Sequence, residues 1–140
     1  MTNSELRSAY LASTAHPNRC AICWIPAWAL KGNRWPTSFE LAHIIPRSRG
    51  HAAGQVVGNV LILCSSCHQS QHFGLYGWPK ITEGMLMLAK DEIGELDQDE
   101  LARIAGATPQ WVRWKIDTCT LKEFKGSRER WGASDGNNSR

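Results

Sequence analysis

The sequence predicts a small α+β domain, and three observations carry that reading. Two Cys-x2-Cys pairs, Cys20/Cys23 and Cys64/Cys67, are spaced to close one tetrahedral four-thiol zinc site. Between them lie two short apolar runs bounded by Pro, Gly and Asn, as strands are, and the second pair opens a short helical stretch. Beyond about residue 80 the apolar spacing and the capping residues turn helical.

Taken in order, residues 4–13 read as a helix capped by Ser4, with Leu6, Tyr10 and Leu11 on one face. His16-Pro17-Asn18-Arg19 breaks it, and Cys20 to Cys23 forms the first knuckle. Residues 24–36, with Pro26, Gly32 and Pro36, are expected as an irregular loop. Residues 38–45 alternate loosely and read as a strand that ends at Pro46. A loop over residues 47–58 leads to a second strand at 59–63, and a helix capped by Ser65 or Ser66 runs to about His72 before Gly74. Residues 83–90 fit strand and helix equally. Asp97 caps a helix over residues 97–105 with Glu100 at the capping-box position, and Gly106 ends it. Thr108 with Pro109 opens another that runs toward Phe124, while the Gly-, Ser- and Asn-rich residues 126–140 are expected as a flexible tail. The domain organisation is thus an N-terminal helix (1–17), a stapled core (18–80), a helical extension (81–125) and the tail.

A piece of this size has little apolar core of its own, which is why a metal staple fits it. The N-terminus lacks a basic segment followed by an apolar run, so no signal peptide is expected, and without a secretory context paired cysteines favour metal over disulfides. The chain is expected to be soluble and cytoplasmic, and Cys119 reads as a small buried residue. Residues 1–80 hold 7 Lys+Arg against 2 Asp+Glu, residues 81–100 hold 1 against 7, and residues 101–140 hold 8 against 4. Two basic segments flanking an acidic one suit a polyanionic partner such as nucleic acid, although charge alone does not single one out.

The histidines stand beside the four thiols without being needed by them. His43 ends a strand before a proline, and His68 and His72 lie four apart on one helix face, where two imidazoles can hold one ion. Asn59 opens the second strand, where its side chain can tie the preceding loop.

The run Ala42-His43-Ile44-Ile45-Pro46-Arg47-Ser48-Arg49-Gly50 followed by Gly58-Asn59-Val60-Leu61-Ile62-Leu63-Cys64-Ser65-Ser66-Cys67-His68-Gln69-Ser70-Gln71-His72 resembles the HNH endonuclease family, phage-type members with a four-cysteine zinc site in particular. The resemblance spans about residues 18–74. It implies a ββα-metal core and hydrolysis of DNA phosphodiester bonds with one divalent ion, the mode being nicking or double-strand cleavage. It also implies His43 as general base, Asn59 as the residue that holds the loop of the base, and His68 as a ligand of the catalytic ion. His72 matches a further ligand position of some members, the alternative being a plain surface histidine. Arg47 and Arg49 become candidate phosphate contacts. Many members place Asp or His directly before the base, as a ligand, where this chain has Ala42. Glu40, on the same side of the strand, is the replacement to consider, against an ordinary exposed strand residue. Two imidazoles take Zn, Ni, Co or Mn more readily than Mg, so the ion is left open among these five. A bacterial or phage-infected host cytoplasm, a monomer or weak homodimer, and phage packaging proteins as partners belong to the same expectation. The alternative from another class is a non-catalytic zinc-stapled DNA-binding module.

Residues 99–116 resemble a helix-turn-helix, with Ala102, Gly106 and Val112 at its small, turn and apolar positions. Arg113 and Lys115 on the second helix are then candidate nucleic-acid contacts.

Overall fold

A computed structural model describes residues 1–30, 39–46, 51–74 and 78–136. Among the described residues the fold is α+β: six α-helices around one two-stranded antiparallel sheet.

Helix α1 spans Asn3–Ser13. Its cap is Thr2 and not Ser4: the Thr2 hydroxyl accepts from the Glu5 amide while the Glu5 carboxylate accepts from the Thr2 amide, so two otherwise unpaired donors are satisfied at once. Leu6 and Tyr10 are buried, and the Arg7 guanidinium donates to the Phe39 carbonyl at 2.9 and 3.2 Å, fastening α1 to the approach of the first strand.

Strands β1 (Glu40–His43) and β2 (Val60–Leu63) pair in the register Glu40↔Leu63 to His43↔Val60. They are shorter than the sequence pattern suggests, and the preceding turn, Val57–Asn59, is 3-10 helical. All four residues of β2 are buried, which is why it reads as a continuous apolar run rather than an alternation. Helix α2 (Ser65–His72) starts directly from β2, with Cys64 at its N-cap in place of the expected serine cap. Gly74, at φ 71°, turns the chain out of it as expected.

Residues 83–92, ambiguous in the sequence, form helix α3 (Glu83–Glu92), capped by Thr82. Met85, Leu86, Met87, Ala89 and Lys90 are all buried, so the helix is covered nearly all round and shows no apolar stripe to betray its period. Helix α4 (Gln98–Ala105) is capped by Asp97 and ends at Gly106 in the left-handed region, and α5 (Pro109–Asp117) is capped by Thr108, both as expected. Helix α5 stops at Asp117 rather than running to Phe124. A Cβ on Gly84 would sit 2.9 Å from the Lys115 carbonyl, so glycine there lets α3 and α5 approach closely. Residues 126–140 are expected as a loose tail, but Lys125–Gly136 form helix α6, anchored by side chains described below. No helix among the described residues is long and apolar enough to cross a membrane.

Lys90 is 1% exposed. Its amine donates to the carbonyls of Val57 at 2.9 Å and Val60 at 2.7 Å, tying α3 to the start of β2. Burial pushes its pKa down from 10.5 to about 8, with the charges of Glu95 and Glu100 only partly opposing the shift. A neutral amine still has two N–H donors for those two carbonyls. Between the two pKa values the unfolded chain binds a proton that the folded chain does not, so stability from this group rises with pH across that window. Relative to Lys90→Met, the wild type is expected to gain on the order of 3 kcal/mol of unfolding free energy as pH rises from about 8 to 10.5. Urea unfolding of both proteins at the two ends of the window measures this, and a difference that does not change with pH would contradict it.

Candidate metal centre and active site

The first Cys pair stands on a tight knuckle. The Trp24 amide donates to the Cys20 carbonyl at 3.0 Å and the Cys20 amide to the Ile25 carbonyl at 3.0 Å. This geometry puts Trp24 at φ 68°, a conformation rare for a large side chain. Its indole is held between two guanidinium groups, Arg19 at 4.6 Å and Arg128 at 4.5 Å from the ring centre. Arg128 and Ser127 of α6 also cap the knuckle from outside: Arg128 donates to the carbonyls of Ile22 at 2.7 Å and Ala21 at 3.1 Å, and Ser127 to that of Cys23 at 2.8 Å. On the inner side, the Ala21 amide donates to Ile62 of β2 at 3.1 Å.

The second pair comes from the junction of β2 and α2. All four thiols are buried, and their sulfur atoms lie within 4.8 Å of one another. The Cys23–Cys64 separation is 3.7 Å, against the roughly 3.8 Å edge of a tetrahedron with Zn–S bonds of about 2.3 Å. Burial disfavours a thiolate here, but hydrogen bonds from Cys23, Cys64 and Cys67 outweigh it and hold the Cys20 thiol well below its ordinary value. The donor set and its spacing fit a zinc ion. Cys119, by contrast, is partly exposed and outside the cluster.

The histidines fall into two neighbouring groups. On α2, the Nε2 atoms of His68 and His72 face each other at 3.3 Å. The Nδ1 of His68 meets Glu40 Oε1 at 2.7 Å, and the Ser65 hydroxyl donates to Glu40 Oε2 at 2.6 Å. Partial burial pushes the Glu40 carboxyl up, but the hydrogen bonds from Ser65 and His68 and the nearby His68 charge prevail and hold it below its ordinary value. A carboxylate on one ring nitrogen leaves the other free for an ion and fixes the ring plane. Glu40, considered above as a replacement ligand, bonds His68 Nδ1, and the four cysteines form the one group of three or more potential ligands within 4.8 Å among the described residues. Ala42 itself is buried, 1% exposed.

His43 lies at the end of β1, and its Nε2 meets the Oε1 of Gln55 at 2.5 Å. Gln71, on α2 between the two helix histidines, donates to the His43 carbonyl at 2.9 Å and joins the two groups. Asn59 is fully buried. Its Oδ1 accepts from the Ile45 amide at 2.9 Å, and its Nδ2 donates to the carbonyls of Ile45 and Gly54, each at 3.0 Å. Its own carbonyl accepts from the Ile44 amide at 2.8 Å. Asn59 therefore closes the loop that leaves β1 at both of its ends.

Arg47 and Arg49 lie outside the described residues. Arg113 and Lys115 are engaged within the chain: Arg113 is 3.3 Å from both Asp91 and Asp117, and Lys115 is 3.9 Å from Glu83 with its amine 5.5 Å from the centre of the Trp111 ring. Helix α5 packs on both α3 and α4. Gln55, Ser65 and Gln71 were not singled out by the sequence. Ser65 and Gln71 carry a weak signal, since they share α2 with His68 and His72. Gln55 sits in an irregular loop and has none.

The two strands and one helix, with four converging thiols that could hold a metal ion, define a small α+β domain. Residues 20–74 match the family model described as HNH endonuclease. No curated protein and no solved structure matches the chain.

If the four thiols hold zinc, metal analysis of the purified protein is expected to find about one tightly held zinc per chain, lost together with cooperative unfolding in Cys64→Ser. A zinc-free protein with an unchanged thermal transition would contradict this.

Proposed function

We propose that the protein is a metal-dependent endonuclease that hydrolyses DNA phosphodiester bonds, with His43 as general base. The observation that carries this reading is the placement of three imidazoles on one clamped frame: His43 where Asn59 closes the loop, and His68 and His72 with Nε2 atoms 3.3 Å apart on the adjoining helix. The family match supports nuclease activity in general. An imidazole titrates near neutrality and so can take a proton from water at working pH.

In the proposed reaction His43 accepts a proton from water as the water oxygen bonds to phosphorus. The bond from phosphorus to the 3′ oxygen breaks, and that oxygen leaves and is protonated by solvent. His68 and His72 are the residues that would hold the catalytic ion, with Glu40 and Ser65 setting the plane of His68. A divalent ion bound there supplies Lewis-acid stabilisation of the charge that builds on the phosphate and the departing oxygen. The two-nitrogen donor set favours Mn, Co, Ni or Zn over Mg. Arg47 and Arg49 follow His43 by four and six positions and are proposed as phosphate contacts on the same loop.

One observation favours a second reading, a zinc-stapled DNA-binding module without catalysis: the buried methyl of Ala42 stands where the family pattern has a ligand. Relaxation of supercoiled plasmid with a panel of divalent ions separates the two. The wild type is expected to cleave, best with Mn, Co or Ni, and His43→Ala to lose at least about a hundredfold in rate. No cleavage with any ion would support the binding module. Equal rates in wild type and His43→Ala would remove His43 as the base.

A further inference from the structure

The proposed base is held by a residue that comes from neither of its strands. Gln55 is the hydrogen-bond partner of His43 Nε2, through its carbonyl oxygen. Which way the Gln55 amide points is settled by its other contacts. Its Nε2 donates to the Met1 carbonyl at 3.0 Å and to Asn3 Oδ1 at 3.0 Å, at the start of α1. A backbone carbonyl only accepts, so the amide nitrogen of Gln55 must face Met1, and a primary amide has two N–H donors for these two acceptors. Its oxygen is then left for His43. That oxygen also only accepts, so the nitrogen it meets must carry the hydrogen. The neutral His43 ring is thereby held as the Nε2–H tautomer, and the lone pair lies on Nδ1.

We infer that Gln55 is a positioning residue: it fixes the tautomer and ring plane of His43 so that Nδ1 is the atom that takes the proton from water, and Met1 and Asn3, just before and at the start of α1, in turn fix Gln55. This deepens the nuclease reading and rests on His43 being the base. It also gives α1, which lies outside residues 20–74, a part in the site. The chemistry does not require the amide donors at His43 itself, only an acceptor there. Glutamate at position 55 keeps an acceptor for His43 but loses both donors to Met1 and Asn3, so it should keep the tautomer with a less firmly held ring, while alanine should release both.

The test uses the full chain with zinc and Mn²⁺ for cleavage, and the ¹⁵N-labelled chain without Mn²⁺ for long-range ¹H–¹⁵N spectra of the histidine rings above their titration. In the wild type His43 is expected as the Nε2–H form. In Gln55→Ala it is expected as a mixture of tautomers, with kcat lowered about tenfold to a hundredfold and KM little changed. In Gln55→Glu the Nε2–H form is expected to persist, with a rate nearer the wild type than the alanine variant. The acid limb of its rate profile should move to higher pH, because a carboxylate favours the imidazolium. An Nδ1–H tautomer in the wild type, or wild-type spectra and rate in a folded Gln55→Ala protein, would overturn the inference. The ring spectra answer without any cleavage. A chain that never cuts DNA but shows the tautomer shift fails the nuclease reading and keeps only the hold of Gln55 on the His43 ring.

Discussion

The loop between β1 and β2 is closed by one amide side chain, and the positions of the proposed catalytic groups follow from that closure. Asn59 is wholly buried, and its three side-chain hydrogen bonds reach Ile45 twice and Gly54 once. Each buried partner it satisfies would otherwise cost about 1–3 kcal/mol of desolvation, so Ile45 and Gly54 are held in place while the strands remain paired. His43 leaves β1 two residues before Ile45, and Gln55 follows Gly54 directly, so base and positioning residue flank the two anchor points. The hydrogen bond between them spans a gap that Asn59 sets.

Around that frame the chain adds fastenings in layers. The four thiols join the first knuckle to the β2–α2 junction, where His68 and His72 begin their helix. Lys90 reaches from α3 to the backbone at either side of Asn59, through Val57 and Val60. Arg128 and Ser127 of α6 close over the knuckle from the far end of the chain. Tyr10 of α1 meets Glu95, beyond α3, at 2.8 Å, and Thr14 hydrogen-bonds the same carboxylate. The segments outside residues 20–74 therefore brace that stretch, and through Gln55 the first of them reaches the proposed base.

What was legible in the sequence follows from how local each signal is. The cysteine spacing, the pair His68 and His72 one turn apart, and the caps at Asp97, Thr108 and Gly106 are short-range patterns, and the structure has them where the spacing puts them. Helix α3 was ambiguous because burial on every side erases the 3.6-residue period. Helix α6 was missed because Gly126, Ser127, Gly132 and Ser134 weaken its propensity, while its anchors are contacts more than a hundred residues distant in sequence. The pairing of Arg113 and Lys115 with Asp91 and Glu83 of α3 is likewise a tertiary contact that no local pattern carries. Gln55 and Lys90 act through tertiary contacts with backbone carbonyls, which leave no mark on composition or period.

In the proposed site the histidines divide into a base that does not hold the ion and a pair that does. Calorimetric titration of Mn²⁺ into the zinc-loaded protein tests that division most directly. One site is expected in the wild type, retained with little change in His43→Ala and lost or weakened at least about tenfold in His68→Ala. Loss of the ion in His43→Ala, or full retention in His68→Ala, would contradict it.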